Sequence, residues 1–136
     1  MDIRRFLGTI AIMLAVPCHG FAADFDGATS FVCAPIEITS CGAGTECTAE
    51  SAASINLPQF LRVNASENAI TGKRPGGEAI STAILTKQTH NGRLVLQGTE
   101  NGLSWTMSID EDNGEMTVTA AGDKVAFIAF GACVRP

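Results

Sequence analysis

The chain has 136 residues, with 14 Asp and Glu against 9 Lys and Arg, a formal net charge of −5, one tryptophan and no tyrosine. That length fits one domain, and the acidic balance disfavours nucleic-acid binding, which needs a clustered positive face against phosphate.

The N-terminus is read first, because a targeting segment has to be removed before the fold is considered. Arg4 and Arg5 supply a positive start, and Phe6 to Val16 is an almost unbroken apolar run with only Gly8 and Thr9 as small interruptions. Pro17, Cys18, His19 and Gly20 end the run, and Gly20-Phe21-Ala22 has the small-residue spacing that signal peptidase requires. The pattern predicts a signal peptide over residues 1–22, cleaved after Ala22, with Ala23 as the neighbouring alternative. A membrane span would need roughly 20 apolar residues, about twice this run. Pro17 directly before Cys18 spoils a lipoprotein site. Cleavage leaves one β domain, residues 23–136, of 114 residues (136 minus 22) with 13 acidic and 7 basic side chains, a net charge of −6. No second hydrophobic span follows, so the mature chain is expected to be soluble, in the periplasm or secreted.

Strand signals then dominate. Thr29 to Thr39 predicts a strand in which Pro35 implies an edge or a bulge. Glu46 to Leu57 alternates weakly and carries Ala49, Ala52 and Ala53, which leaves a short helix open. Phe60 to Ala65 and Asn68 to Thr71 suggest a hairpin around Ser66-Glu67, and Gly72 to Gly77 reads as a loop. Glu78 to Gln88 reads as one strand of small and β-branched residues.

Asn91-Gly92, Asn101-Gly102 and Asn113-Gly114 then recur between apolar runs, and each predicts a type I′ hairpin, whose central residues both need positive φ. Leu94, Leu96 and Gly98 form one alternating set; Leu103, Trp105, Met107 and Ile109 form the next, and Met116, Val118 and Ala120 a third. Val125 to Val134 is apolar on both faces, with Phe127 on one and Ile128 and Phe130 on the other, which predicts a strand sealed on both sides. The expected architecture is all-β: a small antiparallel barrel or sandwich of about eight strands, largely a hairpin meander, stapled by disulfides.

The mature chain keeps Cys33, Cys41, Cys47 and Cys133, an even count in a short exported chain, which reads as two disulfides. Three pairings exist. Cys41 and Cys47 flank the flexible Gly42-Ala43-Gly44-Thr45-Glu46, which favours their pairing and leaves Cys33 to meet Cys133. The alternatives join Cys33 to Cys41 or to Cys47. A four-cysteine zinc site lacks its C-x-x-C knuckles here.

No constellation in the sequence assigns a catalytic, cofactor-binding or metal-binding residue. His90 sits at an expected hairpin tip, a poor place to exclude water. Asp110, Glu111, Asp112 and Glu115 crowd one turn without the order of a calcium loop, which reads as a charged, soluble tip. Trp105 falls in a core alternation, and Asn64-Ala65-Ser66 is a glycosylation sequon only in a host that uses it.

Ile55-Asn56-Leu57-Pro58, Leu96-Gln97-Gly98, Gly102 with Trp105, and the closing Phe130-Gly131-Ala132-Cys133 resemble a loosely defined group of short, uncharacterised secreted and periplasmic proteins of proteobacteria. The resemblance spans most of the mature chain. It implies a bacterial periplasmic location and carries no chemistry.

The functional expectation is a non-enzymatic exported binding module, of unassigned protein or small-ligand partner and without cofactor. The alternatives are a periplasmic inhibitor of a basic hydrolase such as lysozyme, and an envelope structural or stress protein. N-terminal sequencing of the protein recovered after export is expected to begin at Ala23; a mature chain that retains Met1 would overturn the leader reading.

Overall fold

A computed structural model describes residues 23–136; the expected signal peptide, residues 1–22 with Cys18, lies outside the described residues. Ten antiparallel strands form one sheet, and there is no helix among the described residues. They are β1 (Phe31–Gly42), β2 (Thr48–Glu50), β3 (Leu61–Asn64), β4 (Ala69–Lys73), β5 (Ala79–Ala83), β6 (Thr86–His90), β7 (Arg93–Glu100), β8 (Leu103–Asp110), β9 (Glu115–Ala121) and β10 (Val125–Val134). The strand order is β5-β4-β3-β1-β10-β9-β8-β7-β6, with β2 paired beside β3 on the same edge of β1. The sheet curls into a half-barrel.

Two hairpin turns follow the sequence expectation. Asn91-Gly92 has φ values of 49° and 74°, and Asn101-Gly102 has 47° and 79°, the paired positive values that a type I′ turn demands. The third expected type I′ turn is different. Only Gly114 has positive φ there, and its amide donates to Asp110 O at 3.0 Å. The Asp110 carboxylate accepts from the amides of Asp112 (3.0 Å) and Asn113 (3.1 Å), so an Asx-type turn opens the loop instead.

Pro35 does lie at a bulge. Pro35 pairs with Gly131 and Glu37 with Phe130, leaving Ile36 as the extra residue. On its other edge β1 pairs with β3 through Phe31–Cys33 and with β2 through Ile38–Ser40. The proline falls in the gap between them, where the ladder asks for no donor.

Three local expectations are corrected. The Glu46–Leu57 segment forms β2 and a run of turns rather than a helix. The amides of Ser51 and Ser54 are taken by each other's hydroxyls at 3.0 Å, which competes with helical bonding, and Asn56 turns to φ 54°. The Glu78–Gln88 strand breaks into β5 and β6 at Ile84-Leu85. There the Ile84 amide donates to Asn68 O and the Leu85 amide to Gln97 O, both at 2.8 Å, so adjacent residues tie the two ends of the sheet together. Thr82 Oγ1 adds a bond to Thr99 O at 3.3 Å. Finally, β10 is central rather than sealed: its outward side chains Phe130 and Val134 are 52% and 62% exposed.

Inward residues build the core by strict alternation. Phe31, Cys33, Leu94, Leu96, Met107 and Ile109 are essentially solvent-free and fill one end of the half-barrel. Phe25 closes that end, edge-on to Phe31 with ring centroids 5.5 Å apart, and its amide donates to Glu111 O at 3.0 Å.

Both expected disulfides are formed, Cys33–Cys133 and Cys41–Cys47, and Cys33 and Cys133 are directly opposed partners across β1 and β10. Their sequence separations are 100 and 6 residues. Chain-entropy arithmetic gives the long bridge about 4.7 kcal/mol and the short one about 2 kcal/mol. Urea unfolding of the Cys33→Ala/Cys133→Ala protein is therefore expected to show about twice the loss of the Cys41→Ala/Cys47→Ala protein. Equal losses would show that the long bridge does not close the fold.

Candidate functional site

The end of the half-barrel opposite Phe25 is not filled. Inward positions there carry small residues: Gly72 on β4, Gly98 on β7, Ala120 on β9 and Ala129 on β10. At two of them the missing Cβ lets a neighbouring side chain pack directly on the strand. A Cβ on Gly98 would collide with the Trp105 ring and the Ala83 carbonyl, and one on Gly72 would collide with Pro58. Gly98 and Trp105 are opposed across β7 and β8, so the indole lies over the glycine.

Two adjoining cavities lie at this end. The inner one, about 170 Å³, is walled by Leu57, Leu61, Ile70, Ile80, Leu103, Trp105, Met107, Val118 and Ala120, with Thr82 and Glu100 as its polar members. The outer one, about 300 Å³, shares Leu57, Ile80, Glu100, Leu103, Val118 and Ala120 with it and continues to Ile38, Phe127, Ala129 and Arg74. An apolar cavity of roughly 150 Å³ is enough to take benzene, and small-molecule sites begin near 300 Å³. A wider groove of about 780 Å³ runs past Ile36, Glu50, Phe60 and Arg74 on the other side of the 51–60 segment.

Polar groups around the cavity are few and specific. Trp105 is 8% exposed, and its Nε1 is buried without a hydrogen-bond partner. Leaving such a donor unpaired costs about 1–3 kcal/mol. Arg74 donates from Nη1 to Glu78 Oε2 at 2.9 Å, while its Nε has no partner. Among the described residues the Glu100 carboxylate forms no ion pair.

The mouth is roofed by the Ser51–Phe60 segment, which sends Leu57 and Pro58 inward. Glu50 anchors it. Its carboxylate accepts from Ser54 Oγ at 2.7 Å, Ser40 Oγ at 2.9 Å and Thr48 Oγ1 at 3.3 Å. The Ser54 hydroxyl, then those of Ser40 and Thr48, hold the Glu50 carboxyl below its ordinary value against an opposing desolvation.

The residues singled out in the sequence fall in different places. His90 ends β6, exposed, and lines none of these cavities. Asp110 uses its carboxylate on its own turn and lies 3.8 Å from Arg93 Nη1. Among the described residues no group of three His, Cys, Asp or Glu could hold a metal ion. Trp105 is in the core, as its alternation implies, and also walls the cavity. Glu100, which the sequence pattern does not single out as a functional residue, continues the inward parity of Leu94, Leu96 and Gly98.

The fold and cavity thus define a disulfide-stapled antiparallel half-barrel with an apolar mouth. Comparison with protein-family models, with curated proteins and with solved structures finds no match to this chain.

The lowered Glu50 value makes the roof pH-sensitive. Because the folded value lies below the unfolded one, the anchor is complete above the ordinary carboxylate range and weakens as pH falls through the folded value. Amide exchange across residues 51–58 is expected to become relatively less protected, compared with β8, between about pH 6 and about pH 3. Glu50→Gln should show that loss already at the higher pH; an unchanged roof in that variant would remove Glu50 as its anchor.

Proposed function

We propose that this chain is a non-enzymatic, exported binding module that takes a small apolar ligand into the mouth of its half-barrel. The observation that carries the reading is the apolar inner cavity of about 170 Å³, walled in part by the Trp105 ring, which opens to the mouth through shared walls. Largely apolar concave sites with a few placed polar groups are the common form of small-molecule sites. Two disulfides in so short a chain suit an oxidising compartment, in keeping with the expected leader and a periplasmic or secreted location.

A second reading rests on a different surface. Ile36, Ile128, Phe130 and Val134 stand exposed on the outer side of β1 and β10, and Phe60 stands exposed just before β3. Contiguous exposed apolar surface of this kind marks docking sites for other proteins. An inhibitor of a basic hydrolase such as lysozyme is its sharpest form, since the acidic charge would steer such a partner. An interaction role in the envelope is its broader form. A 1:1 complex with a lysozyme, weakened by Phe130→Ser and by salt, would favour this reading.

The cavity reading is tested with Trp105, the sole tryptophan and so a built-in reporter. Titration with cyclohexanol is expected to change its fluorescence saturably. Ala120→Leu and Ala120→Phe, which fill the cavity opposite Trp105, should weaken binding at least about tenfold in graded order while leaving the circular dichroism intact. Binding unaffected in both folded variants would place the ligand elsewhere.

A further inference from the structure

Ile36, Phe60, Phe130 and Val134, each more than half exposed, gather on the outer side of the β1–β10 seam. The smaller Val32, Ala34 and Ala132 lie between them on the same face. Contiguous exposed apolar surface marks a docking face, and the charges at its margins state what docks there.

One line of side chains crosses this face from a cation to an anion. Cys33 pairs with Leu61 and Leu61 with Gly72, so one step along the same registers sets Phe60 beside Ala34 and Lys73 beside Phe60. Ala34 pairs with Ala132, and Ala132 with Glu115. The line reads Lys73 on β4, Phe60 just before β3, Ala34 on β1, Ala132 on β10 and Glu115 on β9. Its members point outward by parity, because their neighbours Cys33, Leu61, Met116 and Cys133 are buried. Lys73 and Glu115 are both exposed, and neither forms an ion pair among the described residues. Ala34 is the midpoint.

A two-fold axis along β1 reverses that line. It sets Lys73 of each copy over Glu115 of the other, Phe60 over the small Ala132, and Ala34 over itself, which is the self-complementarity an isologous contact requires. We propose that the occupant of this face is a second copy of the chain, packed sheet against sheet about the β1–β10 seam. The face is the outside of a curled sheet, so two copies touch along the seam and part towards β4 and β9. Only long side chains bridge that widening gap, and Lys73 and Glu115 are long. The net charge of −6 on each copy opposes approach, but beyond about 8 Å it is screened at physiological salt, which leaves the local pairs to decide. Five strands about 4.8 Å apart, and about 3.4 Å per residue from Ile128 to Val134, mark out about 20 Å on each side. That suits the smaller, transient class of interface, below about 1,200 Å² in total. The proposal takes up the exposed face of the second reading above and assigns its occupant; the cavity reading, whose walls are on the inner side of the sheet, stands apart from it.

The experiment is analytical ultracentrifugation of the exported, oxidised chain at about 0.15 M salt. A reversible monomer–dimer equilibrium is expected, with a Kd of about 10–100 µM. Lys73→Glu and Glu115→Lys each put like charges at both contacts and should raise that Kd about tenfold or more. An equimolar mixture of the two variants should dimerise again, because each then supplies the charge that the other lacks. Circular dichroism and Trp105 fluorescence report that both variants fold. A chain that stays monomeric at millimolar concentration would overturn the proposal. So would a dimer indifferent to both substitutions, or a mixture that associates no better than its components. A monomeric chain that instead forms a lysozyme complex weakened by Phe130→Ser would also overturn it, and would give the face to the hydrolase.

Discussion

The pairing of β1 with β10 is the constraint on which the rest of the molecule depends. It joins the first described strand to the last, over a register running from Val32↔Val134 to Gly42↔Val125, with the Cys33–Cys133 bridge near one end. On one side of this seam lie β3, β4 and β5; on the other lies the meander of β9, β8, β7 and β6. Each half is mostly local hairpins, so each pays little loop-closure entropy. Joining them closes a loop of about 100 residues, and the disulfide removes much of that cost from the unfolded side.

The bulge at Ile36 belongs to the same seam. A regular pairing would run the proline straight into the ladder, whereas the extra residue bends β1 and lets it serve β3 on one half and β2 on the other. The bend adds to the twist of the sheet and brings β5 round towards β7. There the Ile84 and Leu85 amides and the Thr82 hydroxyl tie the far ends together. The curl therefore comes from a bulge at the centre of the sheet and a tie at its ends.

Side-chain size changes along the inward positions of this shell. Phe25, Phe31, Leu94, Ile109 and Met116 fill one end. Ala120 and Ala129 line the cavities at the other, under a roof held by hydroxyl contacts to Glu50. The result is an apolar mouth with the Trp105 ring in its inner wall.

The local grammar of the fold is written in short stretches of chain. Alternation from Leu103 to Ile109 and from Met116 to Ala120, the Asn-Gly pairs at 91 and 101, and the complement of four cysteines make an all-β, twice-stapled meander legible, because each depends on neighbours in the chain. Local chemistry also misled where side chains compete with the backbone: Asp110 replaced a tight turn, and Ser51 with Ser54 replaced a helix. Tertiary structure alone decided that Ile84-Leu85 would break a strand to meet two partners, that the outer face of β10 would stay open, and that Glu100 and Trp105 would share a cavity. Period-two patterning states which face a residue takes. Which ends of the sheet meet, and how much space they enclose, follows from long-range register, which no local window contains.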